Sequence, residues 1–248
     1  MAVIAVGDIH GNREALDDLL DQLTPGIGIG DTVVFLGDYI DRGLDSRGCI
    51  ERILDLKRTT KAQVVGILGN HEQWMLETWR DFTRHSWLLG MEAFPTIESY
   101  APEAAAKIGE RVAELGPRLI LEKVQLPYEL FFNAVPVEHM EFLSGLRTFF
   151  RAPEGVFVHG GVDLGDGNAE AQPTEQLIWG VEGFPDQYHG DDRIVYGHRD
   201  NALLDEKGWP HPRIIGRTYG LDTIGHGVLT ALKLPDETII QNRRKFCA

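Results

Sequence analysis

The chain has 248 residues and sets 24 lysines and arginines against 38 aspartates and glutamates, a formal charge of −14. A surface this acidic repels phosphate backbones, which argues against a scaffold that holds nucleic acid by neutralising it. No stretch of about 18 apolar residues is present and the apolar N-terminus lacks a basic flank, so neither a membrane span nor a signal peptide is expected, and the expected location is cytoplasmic. Cys49 and Cys247 form no metal-binding spacing and fit a reducing cytosol. The length suits one α/β domain over 1–248 with an insertion.

Val3-Ile4-Ala5-Val6 reads as a buried strand that delivers Gly7-Asp8-Ile9-His10-Gly11 at its tip. From Asn12 to Leu23, the residues Ala15, Leu16, Leu19, Leu20 and Leu23 recur at helical spacing and predict an amphipathic helix packed on the sheet. The glycine-rich run Pro25 to Gly30 precedes a strand rather than opening a helix, so it is a connector and not a dinucleotide fingerprint. A second apolar run, Val33 to Leu36, ends in Gly37-Asp38-Tyr39-Ile40-Asp41-Arg42-Gly43, which places two carboxylates and a guanidinium on one tight turn. Ser46 to Lys57 supplies the next helix, with Ile50, Ile53, Leu54 and Leu56 inward, and Val64 to Leu68 then leads into Gly69-Asn70-His71-Glu72. This alternation predicts a right-handed βαβαβ unit. Open α/β sheets gather their chemistry beyond the carboxyl ends of the strands, so the three turns should converge.

The segment from Glu72 to about Phe132 breaks the alternation, is punctuated by Pro95, Pro102, Pro117 and Pro127, and is expected to form a mostly helical insertion, about 73–132, over the site. Trp74, Met75, Trp79 and Trp87 read as core at helical spacing, with a base-stacking platform as the other reading. A short helix from Glu138 to Leu146 precedes two more strands: Val156-Phe157-Val158, tipped by His159-Gly160-Gly161, and Arg193 to Tyr196, tipped by Gly197-His198. Short strands around Ile214-Ile215, Val228 to Leu232 and Ile239-Ile240 are expected to build a second, partly antiparallel sheet packed on the first.

Asp8, His10, Asp38, Asn70, His159 and His198 offer carboxylate, amide and imidazole donors without a thiolate. That set suits manganese, iron or zinc and is large enough for two adjacent ions. Singly, each has a plainer reading as a helix cap, a turn residue or a hydrogen-bonded buried histidine. Their joint recurrence at strand tips before glycine-rich turns favours the metal.

The five motifs, in this order, resemble those of the calcineurin-like metallophosphoesterases, in the branch of Ser/Thr protein phosphatases and bacterial symmetrical diadenosine-tetraphosphate hydrolases. The likeness continues through Trp87 to Tyr100, Pro136 to Leu143 and Leu221 to Leu234. It implies an α/β fold of two packed mixed β-sheets flanked by helices, with the helical insertion over the active site. It also implies two divalent ions, manganese being expected and iron or zinc suiting the same donors. Asp8 and His10 would hold one ion, Asn70, His159 and His198 the other, and Asp38 both, about 3.5–4 Å apart, activating a water for in-line attack on phosphorus. His71 resembles the family's general acid, with Asp41 orienting it, and Arg42 a residue whose planar fork grips two phosphate oxygens.

The chain also departs from that pattern. Where relatives carry a second phosphate-binding arginine, two residues after the position of Trp179, it has Val181, and Arg199 stands where they commonly have threonine. The loop after Asp222-Thr223 is shortened and carries His226. Arg199, beside His198, and Arg217, before a C-terminal strand, are therefore the candidates for the missing phosphate contact. His85, His139, His189 and His211 lie outside the motifs. The resemblance implies a phosphoesterase whose first expected substrate is a phosphoserine or phosphothreonine protein. A symmetrical dinucleoside-tetraphosphatase is the alternative, and a catalytically silent metal-binding scaffold the third reading. The expected partner is thus a phosphoprotein or a small phosphoester or nucleotide, with no nucleic-acid scaffold and no membrane.

Overall fold

The computed structural model describes residues 1–165 and 168–246, so Cys247 lies outside the described residues. Three strands, β1 (Val3–Val6), β2 (Thr32–Phe35) and β3 (Gln63–Gly66), pair in parallel, with Val3 opposite Thr32 and Thr32 opposite Gln63. They alternate with helices α1 (Arg13–Leu23) and α2 (Ser46–Thr59), whose first turns are capped by Asn12 and Asp45 accepting the Ala15 and Gly48 N–H groups. The caps of these two helices are thus neither Asp8 nor Asp38, although Asp38 Oδ1 accepts the His71 amide, in the first turn of the helix over 70–80, at 3.2 Å.

A second sheet holds β4 (Phe149–Ala152), β5 (Gly155–Val158), β6 (Ile194–Tyr196), β9 (Arg213–Ile215) and β10 (Thr218–Gly220) in the order β4-β5-β6-β10-β9. Strands β5, β6 and β10 run parallel, and the outer two are antiparallel to their neighbours. Between them in sequence, β7 (Leu203–Leu204) and β8 (Pro210–His211) form a small ladder of their own.

One expectation about the C-terminus is corrected. Only Ile214-Ile215 joins the second sheet; β11 (Thr230–Leu234) and β12 (Thr238–Gln241) complete the first, with β11 antiparallel to β1 and the order β12-β11-β1-β2-β3. The reason is burial on both faces. β11 closes the free edge of β1, which would otherwise present unpaired N–H and C=O groups.

Period-two alternation sorts the strand residues. Val3, Ala5, Val34, Leu36, Leu232 and Leu234 pack across the sandwich on Phe157, Val195 and Tyr219, while Ile4, Val6, Val33 and Phe35 face Leu16, Leu19, Leu20, Ile50 and Ile53 of the helices. Each fully buried valine, leucine, isoleucine or phenylalanine among them contributes about 1.5–3 kcal/mol of transfer free energy, so a slip of one residue would misplace the entire set. The outer face of the second sheet is covered by α10 (Thr174–Trp179) through Leu177, and by Phe184.

Residues 70–144 are helical: α3 (Asn70–Arg80), α4 (Ser86–Gly90), α5 (Phe94–Tyr100), α6 (Pro102–Leu115), α7 (Arg118–Leu121), α8 (Glu129–Phe132) and α9 (Val137–Ser144). Trp87 is fully buried among Phe131 and Phe132, as core spacing predicts, whereas Trp74 is half-buried and Trp79 exposed.

Candidate metal centre

The carboxyl ends of β1, β2 and β3 converge with those of β5 and β6. At the tip of β1 the amides of Ile9 and His10 donate to the Asp38 carbonyl, joining the first turn to the second at 3.0 and 2.8 Å. The second turn is held from beneath by Glu72, in the first turn of α3. Its Oε2 accepts the Asp38 N–H at 3.0 Å, and its Oε1 accepts those of Tyr39 and Ile40 at 2.9 and 3.2 Å. Burial and the Asp38 charge push the Glu72 carboxyl up to about 8; the three amide donors work against that shift by favouring the ionised form.

Seven non-glycine residues among those described have positive φ, and five belong here: His10 (45°), Asp38 (50°), Asp41 (71°), Arg42 (66°) and His198 (71°). Left-handed backbone costs an L-residue roughly 1–2 kcal/mol. Strain concentrated at one place marks where the fold gives up stability to aim side chains. Gly197 serves the same end, because a Cβ there would overlap Asp8 Oδ1.

Two donor clusters meet at Asp38. His10, Asp38 and His71 form one and Asp38, His159 and His198 the other, each with ligand atoms within 4.8 Å of one another. Asp38 Oδ2 is 3.5 Å from His10 Nε2, and Oδ1 is 3.4 Å from His159 Nε2. Both imidazoles give their Nδ1 proton to a backbone carbonyl, His10 to Ile40 at 3.1 Å and His159 to Leu36 at 2.9 Å. A carbonyl only accepts, so each Nε2 is left as the inward-facing atom. Asn70 Oδ1 lies 2.9 Å from both His159 Nε2 and His198 Nδ1, while its Nδ2 faces the Met91 sulfur at 3.6 Å. The amide of His198 donates to Asp8 Oδ2 at 2.9 Å; Asp8 Oδ1 is buried without a partner among the described residues.

This donor set fits a cation on two grounds. With His159 neutral and protonated on Nδ1, acceptor faces acceptor at Asn70 and His159, a contact that a shared cation would resolve. Burial and then the neighbouring Asp222 and Asp38 charges raise the Asp8 carboxyl well above the usual range, a repulsion that a divalent ion would relieve. Burial holds His10 and His198 neutral, lowering both to about 3, which keeps their lone pairs free for coordination. Burial opposes charge on Asp38, yet His159, His71 and His10 together keep it well below the ordinary carboxylate range. Arg42 Nη1 donates to His10 Nε2 at 3.0 Å, bringing a guanidinium to the edge of the first cluster.

His71 is nearby but differently engaged. Its Nδ1 pairs with Asp41 Oδ2 at 2.8 Å, and its Nε2 is buried, unpartnered among the described residues and 3.8 Å from Asp38 Oδ2. Burial disfavours its charge, but Asp38 and the Asp41 hydrogen bond overcome that and raise it to about 8. Asp41 itself is pinned by Trp87 Nε1 at 2.9 Å and by Thr96 Oγ1 at 2.6 Å.

Sequence reasoning left Glu72, Trp87, Thr96 and Asp222 without roles. Glu72 and Asp222 carried a signal, one inside a strand-tip motif and the other directly after an apolar strand end. Trp87 and Thr96 carried only the family likeness over Trp87 to Tyr100, with no local pattern tying them to Asp41, 46 and 55 residues away. Arg199 lies beside His198, is exposed and has no ion pair among the described residues. His226 pairs instead with Asp200 at 2.9 Å. Arg217 does not join the site. Thr218 pairs with Ile194 in the parallel β10–β6 ladder, which puts Arg217 at the start of these strands, roughly four residues at about 3.3 Å each from the His198 end.

A family model described as calcineurin-like phosphoesterase matches residues 1–228. The chain belongs to that family. As a calcineurin-like phosphoesterase it is an enzyme of the phosphate-ester-hydrolase type. It is 26% identical to the asymmetrical bis(5'-nucleosyl)-tetraphosphatase PrpE of Oceanobacillus iheyensis over 100% of this chain and 95% of that protein. Two Saccharomyces cerevisiae proteins match only in part. The zinc-dependent endopolyphosphatase is 30% identical over 49% of this chain and 37% of its own length, and serine/threonine-protein phosphatase PP1-1 is 38% identical over 28% and 22%. A crystal structure described provisionally as a diadenosine tetraphosphatase superposes with a TM-score of 0.60 at 20% identity, covering 97% of this calcineurin-like chain and 92% of that one. At that identity the likeness speaks for the fold. Among the described residues, no helix is long and apolar enough to cross a membrane.

Proposed function

We propose that this phosphoesterase works through a dinuclear divalent-metal centre and that its substrate is a dinucleoside polyphosphate. The observation that carries the reading is the position of Asp38, whose two oxygens face His10 on one side and His159 on the other. In this assignment Asp8 and His10 would hold one ion, Asn70, His159 and His198 the second, and Asp38 would serve both. The ions supply Lewis acidity and a water of lowered pKa. The protein does the rest: Arg42 leaves His10 to grip non-bridging phosphoryl oxygens, and His71 delivers its Nε2 proton to the departing oxygen. Asp41, locked by Trp87 and Thr96, keeps that imidazole aimed.

Support for the nucleotide over the phosphoprotein ranked first on motifs alone comes from the extent of likeness. The tetraphosphatase relative aligns along the entire chain, the protein phosphatase along 28% of it. The test is turnover of the metal-loaded protein on diadenosine tetraphosphate against a phosphopeptide panel. We expect kcat/KM at least about tenfold higher on the dinucleotide, a difference of about 1.4 kcal/mol. Faster turnover of phosphopeptides would overturn the substrate assignment. The products report the cleavage position, two ADP for symmetrical scission and AMP with ATP for asymmetrical.

A further inference from the structure

Next to the centre lies a cavity of about 160 Å³ whose lining includes Gly160, Val181, Tyr196, Gly197, Arg199 and Arg213. Gly160 and Gly197 directly neighbour His159 and His198 in the chain, so the cavity adjoins the second donor cluster. It is well below the ~300 Å³ of pockets that take a nucleoside-sized ligand, and its walls are polar.

Two features of this cavity have no role within the chain. Tyr196 is 3% exposed, and its hydroxyl is buried without a hydrogen-bond partner among the described residues. Buried hydroxyls are nearly always partnered, by protein, water or ligand. The second feature is charge. Of the acids in the wall, Asp186 is matched by Arg213 at 2.7 Å, and Asp200 accepts from the Ala202 amide and from His226, each at 2.9 Å. Arg199 alone among the lining cations has no carboxylate partner among the described residues. The cavity therefore combines an unused hydroxyl donor with an unbalanced guanidinium, the pairing that recognises an oxyanion.

We propose that this cavity is a subsite for the phosphate that neighbours the one attacked, with the Tyr196 hydroxyl donating to a non-bridging oxygen and Arg199 supplying the charge. The proposal rests on the polyphosphate reading above and moves Arg199 from the reacting phosphoryl to the next one along. It gives Tyr196, which carried no sequence signal, a part in choosing polyphosphates over monoesters.

The test is calorimetric binding of ADP, AMP and inorganic phosphate to the metal-loaded protein. In the unmodified protein ADP should bind roughly ten- to a hundredfold more tightly than AMP, the range expected for a charged hydrogen bond. Arg199→Ala should abolish most of that advantage and Tyr196→Phe should reduce it roughly three- to tenfold, with AMP affinity within twofold of the parent in both. Arg199→Lys, which keeps the charge, should restore part of it. Thermal melting within a few degrees of the parent establishes that each variant folds. An undiminished ADP advantage in both folded variants would overturn the subsite, as would equal losses for ADP and AMP. Two bound inorganic phosphates per chain, one lost in both variants, would assign the cavity to free phosphate and overturn its use by substrate. If diadenosine tetraphosphate is not turned over while the variant-sensitive ADP preference persists, the substrate reading falls and the subsite stands. If the dinucleotide is turned over while the ADP preference is the same in parent and variants, the subsite falls and the substrate reading stands.

Discussion

Above about pH 8, where the Glu72 carboxyl is ionised, replacing it by glutamine removes one charge while keeping the shape. The carboxylate serves three buried amides, of Asp38, Tyr39 and Ile40. A glutamine oxygen can keep the Tyr39 and Ile40 bonds, now neutral and roughly half as strong, but its NH₂ would then face the Asp38 N–H, donor against donor. Leaving that amide unpaired costs about 1–3 kcal/mol, and weakening the other two brings the total to roughly 2–5 kcal/mol. At about 2–4 °C per kcal/mol for a chain of this size, the metal-free variant should melt about 4–20 °C lower. A second effect separates positioning from plain stability. The left-handed backbone of Asp38 (φ 50°) is held by this contact, so at a temperature where the variant is fully folded its metal affinity should still fall, by roughly tenfold in a chelator competition. Melting within 2 °C of the parent together with unaltered metal affinity would refute the account of how the turn is held.

Stripping metal with a chelator should abolish activity, and manganese should restore it, since the donor set is six N/O side chains; elemental analysis of Asp38→Asn should find fewer than two ions per chain, because an amide bridges poorly. His71→Ala should slow turnover of alkoxide-leaving esters about 10²–10⁴-fold, with a clearly smaller loss on para-nitrophenyl phosphate, whose leaving group needs little protonation; equal losses on both substrates would remove His71 as the acid. Arg217→Ala should leave kcat/KM within twofold, as its place at the start of β10 requires, and a tenfold loss would return it to the site.

What the sequence revealed and what it hid follow from the range of the interactions. The strand tips were legible because a four-residue apolar run followed by glycine and an acid or histidine is a local pattern with a local cause. The helices over 13–23 and 46–59 were legible from spacing alone. The sheet assignment of β11 was not, because Thr230–Leu234 reads the same whichever edge it closes, and only the free edge of β1, more than 220 residues earlier, decides. The anchoring of Asp41 was hidden for the same reason. Trp87 and Thr96 contact it through a fold of the chain that no periodicity encodes, and Trp87 looked like core because it is core, with only its indole N–H engaged at the site.

The His198 amide bond to Asp8 spans 190 residues, and the His159 bond to the Leu36 carbonyl spans 123. A ribosome extending at about 5–20 residues per second would have made the Asp8 turn roughly 10–40 s before its partner emerged. During that interval β1 also waits for β11, so the earliest strand to be made is among the last to gain both neighbours. On the proposed two-ion assignment, loading of the second ion should accordingly be a late event in biogenesis. A nascent chain halted at residue 190 lacks β6 and His198, so it should leave the cluster of Asp38, Asn70 and His159 incomplete and Asp8 without its amide donor, with the outer edge of β1 open to hydrogen exchange and to pairing with another chain.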